Sequence, residues 1–324
     1  MAAGLRARGW IVDVRELDPS FPRPTVSALN EAARVLAALP GGAPVLIDGL
    51  AFGAMPAEAE HEAARLRLVA LVHLPLAAEI GLERAEAIRL EAGERRALAA
   101  ARRTIVTGRA TASVVEGYGV RRGAIAIVEP GTDRAPLATG SRRGEPVHVV
   151  SVAAMTPGKG HEILVRALGR IPDDNWRLTC AGSVERHPAT AGRVRELVRC
   201  SGLEDRVSLV GELSAAALAA VYESADVFVH PSLHETYGMV VAEALARGLP
   251  VVGTATGAIP DLVGADAGLI VPPRDEEALA RALSCVITDA STRARMAAGA
   301  RRVRDRLPTW DDAADAMVAA LAGI

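Results

Sequence analysis

Short apolar runs alternate with stretches of helical period along almost the whole chain, and this alternation restricts the fold more than any other feature. Trp10-Ile11-Val12-Asp13-Val14 reads as a strand, Thr25 to Leu39 as a helix with Ser27 near its start, and Pro44 to Gly49 as a buried strand ending in a loop. A helix over Ala57 to Leu66, a strand over Leu68 to His73, a long helix over Ala85 to Ala101 and a strand over Thr104 to Thr107 follow. The short helix Ala110 to Glu116 and the strand Ile125 to Val128 close this series. Asp133 to Glu145 is rich in Pro, Gly, Ser and Arg without an apolar period, which predicts an interdomain linker. A second series then begins. Its strands are Val147 to Ala153, Leu178 to Ala181, Val207 to Val210, Val227 to Val229, Val251-Val252 and Gly268 to Val271. Its helices are His161 to Leu168, Ala189 to Ser201, Ser214 to Ser224, Glu276 to Thr288, Thr292 to Arg306 and Thr309 to Leu321. Such alternation predicts α/β architecture: two doubly wound, Rossmann-like domains of parallel strands with crossover helices, facing across a cleft. Leu5-Arg6-Ala7-Arg8-Gly9 reads as the last turn of a helix, without the strand and Gly-rich turn that normally open such a domain. The first sheet is therefore expected to show a gap or a changed strand order.

Composition excludes several classes. Half of the 324 residues are apolar but only 3% are aromatic, so the core must be built from Ala, Val and Leu. The net charge of −2 offers no bulk attraction to nucleic acid. Cys180, Cys200 and Cys285 are widely spaced, which predicts buried, reduced thiols. No apolar run reaches the ~18 residues of a membrane span. Met1 to Gly9 lacks the apolar segment of a secretory leader, so the expected location is cytoplasmic, with peripheral membrane association left open.

One stretch concentrates chemistry. Val227-Phe228-Val229 runs into His230-Pro231, a loop carries Glu235, Gly238 opens a helical pattern containing Glu243, and Gly248-Leu249-Pro250 ends it. Loops at the carboxyl ends of parallel strands are where open α/β sheets bind ligands. The first amides of the helix, at Gly238, Met239 and Val240, form a ready anion site. A phosphate on those amides, with hydroxyls for the two glutamates, suggests a nucleotide-sugar.

With these residues in view the chain resembles the family 4 (group 1) retaining glycosyltransferases of GT-B fold. The resemblance is carried by Glu235 to Glu243 (the E-x7-E pattern), Gly158-Lys159-Gly160-His161, Ser224 to Val229, Ala244 to Pro250, Gly257 to Asp261 and Gly268 to Pro272. It implies an acceptor-side domain over residues 1–140, a donor-binding domain over 141–306 and a helix over 307–324 that crosses back to the first. It implies that Glu235 contacts donor-sugar hydroxyls, that Glu243 accepts hydrogen bonds from the ribose diol, and that amides from Thr236, Tyr237, Gly238, Met239 and Val240 hold the sugar and β-phosphate. Lys159 would neutralise the leaving diphosphate. The family often places an arginine five residues before this lysine, where this chain has Ala154, which leaves one cation fewer. His73 matches a histidine facing the donor sugar, which puts Glu235, His73 and Lys159 in catalytic roles. Asp48 is a candidate for acceptor contact, Glu129 to Asp133 for a hinge, and Gly182 and Gly211 for approach to the nucleotide, with Val210-Gly211-Glu212 beside the base.

The resemblance further implies a metal-independent, front-face transfer from a nucleotide-sugar, UDP favoured over GDP, to an unidentified glycan, lipid-linked or small-molecule acceptor, without a cofactor. No Asp-x-Asp follows a strand. Asp173-Asp174 and Asp311-Asp312 read as solvated or capping acids, and His230 and His234 flank a proline loop rather than a zinc-binding helix face. No hydrolase elbow is present. Two alternatives remain at this point: an epimerase of the same architecture, and an inactive nucleotide-sugar-binding remnant.

Overall fold

A computed structural model describes the entire chain, Met1–Ile324. Two compact units result, one from Met1–Gly131 together with Trp310–Ile324, the other from Thr132–Thr309. In the first, β1 (Pro44–Asp48), β2 (Arg67–Val72), β3 (Arg103–Val106) and β4 (Ile125–Ile127) form a parallel sheet in the order β1-β2-β3-β4. The expected gap is absent, because all four strands are direct neighbours. Their order follows the sequence without reversal. A reversal would require a strand on the free side of β1.

Trp10–Val14, expected to be a strand, is irregular. No strand pairs with it, so its backbone lacks a ladder. Its alternation still acts: Trp10 and Val12 pack on the core, whereas Ile11 is fully exposed and Val14 largely so.

The side-chain period of β2 separates two apolar layers. Leu68, Ala70 and Val72 face a cluster with Phe52, Met55, Leu66, Leu98 and Val115. Val69 points to the opposite cluster, with Leu5, Ile105, Val128, Met317, Ala320 and Leu321. The terminal helix Trp310–Leu321 thus covers one face of this sheet. Arg8, after the short helix Ala2–Ala7, ties it down through ion pairs to Asp315 and, at 3.4 Å, Asp311. Helix Val26–Ala37 is capped by Thr25, whose hydroxyl accepts the Ala28 N–H at 3.1 Å, and not by Ser27.

The second unit holds β5 (Val147–Val152), β6 (Trp176–Ala181), β7 (Val207–Gly211), β8 (Val227–His230), β9 (Val251–Thr254) and β10 (Gly268–Val271), all parallel, in the order β10-β9-β8-β5-β6-β7. The order reverses at β5, which has β6 on one side and β8 on the other. That is a topological switch point, where a crevice opens beyond the carboxyl ends of β5 and β8. Both faces are covered, as a parallel sheet requires. Val147 and Val149 point into one core with Leu164, Trp176 and Leu283. Val150 and Val152 point into the other with Tyr222, Phe228, Leu245 and Ile259.

The expected linker is pinned to the second unit. Ala138 N–H donates to Arg247 O at 2.9 Å, and Thr139 N–H to Glu223 O at 2.8 Å. The expectation of three buried thiols needs correction: Cys180 is buried in β6, but Cys200 and Cys285 lie on the exposed faces of helices Pro188–Cys200 and Glu276–Thr288. No helix is long and apolar enough to cross a membrane.

Candidate functional site

Two loops meet at the switch point. After β5 the chain passes Ala154 and makes a tight turn over Pro157–Lys159 before helix His161–Gly169. After β8 it runs through Pro231 to Gly238 into helix Met239–Ala246. Gly158 O joins the loops by accepting Leu233 N–H at 2.8 Å and the Ser232 hydroxyl at 3.2 Å. Gly160 permits this approach. It sits at φ +70°, and a Cβ there would stand 2.1 Å from Pro231 O.

The stitched loops bring Lys159 and Glu235 together. Lys159 Nζ donates to Glu235 Oε2 at 2.8 Å, and His230 Nε2 reaches the same oxygen at 3.0 Å. Oε1 accepts the Thr236 N–H at 3.2 Å. The Glu235 side chain is only 15% exposed. Burial works against its ionisation, but His230 and Lys159 outweigh burial and hold its carboxyl down at about 2. His161, next to Gly160, is buried with both ring nitrogens unpartnered. Burial, aided by His230 and Lys159, pushes it down to about 4, so it is uncharged at neutral pH. Burial also holds His234 below the usual imidazole range; Lys159 acts the same way and Glu235 opposes.

Gly238, at φ +91°, caps the next helix. Met239 and Val240 pack partly on the core. Tyr237 is buried in that core, so of the residues expected at the donor it can offer only backbone. Thr236 O accepts Ala258 N–H at 2.9 Å, which fixes the loop from behind. Within the helix, Glu243 Oε2 accepts the Tyr222 hydroxyl at 3.2 Å, and Arg247 lies over the Tyr222 ring at 4.3 Å. Gly182 and Gly211, at the same carboxyl edge after β6 and at the end of β7, are joined by Gly182 N–H to Gly211 O at 2.8 Å. Glu212 is exposed.

In the first unit, Asp48 ends β1 and His73 follows β2. His73 Nε2 lies 3.5 Å from Asp48 Oδ2, and Oδ1 accepts Leu50 N–H at 2.9 Å. The imidazole holds the Asp48 carboxyl below the usual range, against burial and with help from the Leu50 amide. This pairing was not expected from the sequence; neighbouring strands β1 and β2 create it.

His230 and Tyr222 are the partners that sequence reasoning missed. The one available signal at His230 was a polar residue ending a strand that is otherwise wholly apolar. No group of three or more His, Cys, Asp or Glu side chains placed to hold a metal ion occurs.

Several known proteins are similar to this chain. Residues 146–289 match the family model described as Glycosyl transferases group 1. The chain is 33% identical over 243 residues to the D-inositol 3-phosphate glycosyltransferase of Xylanimonas cellulosilytica, covering 70% of this chain and 58% of that one. It is also 33% identical over 180 residues to the Corynebacterium glutamicum enzyme of that name, covering 53% of this chain and 43% of that one. The chain thus spans little more than half the length of these curated relatives at most. Among solved structures, sucrose-phosphate synthase from Thermosynechococcus elongatus superposes with a TM-score of 0.80 at 23% identity, covering 98% of this chain and 90% of that one. Anabaena HepE in complex with UDP gives 0.75 at 19% identity, covering 92% and 82%. These likenesses establish a GT-B fold.

Proposed function

Through residues 146–289 the chain belongs to the group 1 glycosyltransferases, and on that premise we propose that it transfers a sugar from a nucleotide diphosphate sugar to an acceptor hydroxyl with retention at the anomeric carbon. The observation that carries this reading is the Lys159–Glu235 pair at the switch point, beside the helix that bears Glu243. In this reading the donor diphosphate draws Lys159 and the amides of Gly238, Met239 and Val240. Glu235 receives sugar hydroxyls and Glu243 the ribose diol, since a carboxylate accepts two hydrogen bonds at once. The ribose is ready to meet a carboxylate already steadied by Tyr222. UDP is the favoured carrier, because the similar HepE structures contain UDP and UDP-glucose.

The reaction breaks the bond between the anomeric carbon and the β-phosphate oxygen and forms one to the acceptor oxygen on the same face. The acceptor proton passes to the departing phosphate. The protein lowers the barrier by stabilising the diphosphate charge, through Lys159 and the helix-start amides, and by holding the sugar. His73, which lies beside Asp48, is offered for the sugar or acceptor on the family resemblance alone.

Calorimetric titration with UDP, GDP and their glucose conjugates tests the donor. Binding of UDP and UDP-glucose is expected, and failure of all four would end the reading. Glu235→Ala is expected to cut transfer by about 100-fold, the usual cost of misplacing a reacting group; unchanged turnover would remove Glu235 from its role. Conversion of the donor alone into an epimeric nucleotide-sugar would replace transfer by isomerisation.

A further inference from the structure

Glu235 Oε2 has two partners, and only one of them is free to leave. Lys159 rides on an exposed turn and is about one-third exposed, whereas His230 is 1% exposed and closes β8. The His230 ring stacks on Phe228, with centroids 6.3 Å apart and planes at 11°, and Phe228 in turn meets Tyr222 at 5.9 Å. Because a carboxylate only accepts, His230 Nε2 must carry the proton shared with Oε2. Nδ1 is buried without a partner. Glu235 Oε2 is the hydrogen-bond partner of this ring.

This matters when a donor arrives. If Lys159 turns to the diphosphate, a largely buried carboxylate loses its cation. Unpaired, such a group takes up a proton or swings away. We propose that His230 is the positioning residue that keeps the Glu235 carboxylate in place and ionised while Lys159 transfers its charge to the donor phosphate. The proposal rests on the glycosyltransferase reading for the identity of the incoming phosphate. The charged and titratable groups around this carboxylate are Lys159 on the β5 turn, His230 on β8 and His234 in its own loop. His161, at the head of the next helix, faces Lys159 and His230. His161 stays uncharged near neutrality, so it cannot take over from Lys159.

The test separates the two ideas. Lys159→Ala imitates departure of the amine without any ligand. The Glu235 carboxylate is followed by carbon-13 NMR titration of the full chain, in Lys159→Ala alone and combined with His230→Leu or His230→Gln. Lys159→Ala alone is expected to leave Glu235 ionised at pH 5. Adding His230→Leu should raise its midpoint by at least about 1 pH unit, as loss of the last opposing donor to a buried carboxylate requires. Adding His230→Gln, whose amide nitrogen replaces Nε2, should reverse most of that rise. Equal midpoints with and without His230→Leu would overturn the proposal. If the leucine variant fails to fold, His230→Asn, too short to reach Oε2, carries the same expectation. In a second arm, His230→Leu in the otherwise unchanged chain should weaken UDP-glucose binding roughly tenfold while UDP changes less than about twofold, in keeping with loss of one ionic hydrogen bond to a sugar-holding group. Equal weakening of both ligands would assign His230 a structural role and overturn the proposal. Absence of all nucleotide binding in the unaltered chain would remove the donor reading, while the titration would still decide what His230 does for Glu235.

Discussion

Glu94 shows how a single side chain can set the pH behaviour of this protein. It sits on helix Arg84–Ala100, 1% exposed, with Oε2 accepting Leu76 N–H at 2.9 Å and Oε1 buried without a partner. Burial pushes its carboxyl up to about 7, with the Leu76 amide opposing and the charge of Glu91 adding to the rise. A carboxyl whose pKa is higher in the folded than in the unfolded chain binds more protons when folded. Stability is therefore greatest below the unfolded value of 4.5 and declines as pH rises through about 7. The shift corresponds to roughly 3 kcal/mol lost by pH 8. Glu94→Gln keeps an acceptor for Leu76 and is expected to raise the thermal midpoint at pH 8 while changing little at pH 5; an unchanged pH profile would contradict the assignment. Glu94 was not legible in the sequence, since a glutamate in an Ala- and Arg-rich helix reads as solvated until the loop after β2 is folded over it. Glu235 and Glu243 were legible in the sequence from the strand, loop and helix punctuation around them, and Lys159 through the family resemblance. Their partners His230 and Tyr222 were not, because contact across β8 and its flanking helices has no signature in linear spacing.

At the scale of elements, the two stitched loops form the candidate site, and Gly160 is the position on which their approach depends. Gly160→Ala would force an alanine into a left-handed conformation and place its Cβ against Pro231 O. A cost of about 1–3 kcal/mol is expected from the backbone alone, read as a lower urea midpoint. The loops should also part, so that Glu235 titrates higher than its present value of about 2. An alanine variant with unaltered stability and titration would show that the loops do not need this contact. Most elements were legible from period and punctuation, as β5 to β10 show. The strand expected over Trp10–Val14 failed for a definite reason: alternation fixes which residues turn inward, but a strand also needs a neighbouring edge to bond, and none adjoins it. The same limit explains the linker. Asp133 to Glu145 lacks an apolar period, yet its backbone finds Arg247 O and Glu223 O.

At the scale of the whole molecule, the first unit is discontinuous in sequence, completed by Trp310–Ile324. Met317, Ala320 and Leu321 close the layer over Val69, Ile105 and Val128. Met317→Ala is expected to destabilise this unit by about 2–4 kcal/mol, the usual cost of a truncated core side chain. Hydrogen exchange should show faster opening of β2 and β3 and unchanged protection in β5 and β8. Equal loss in both units would mean that they unfold as one. The sequence by itself determined the alternating α/β architecture, the strand series of the second unit and the positions of Glu235 and Glu243. These follow from local periodicity and from backbone demands that glycine and proline advertise. Only the tertiary structure decided which strands stand side by side, that the order reverses at β5, and that His230 and Lys159 share one oxygen of Glu235. Those facts depend on pairings between residues far apart in the chain, whose energy exists only once the sheet has brought them together.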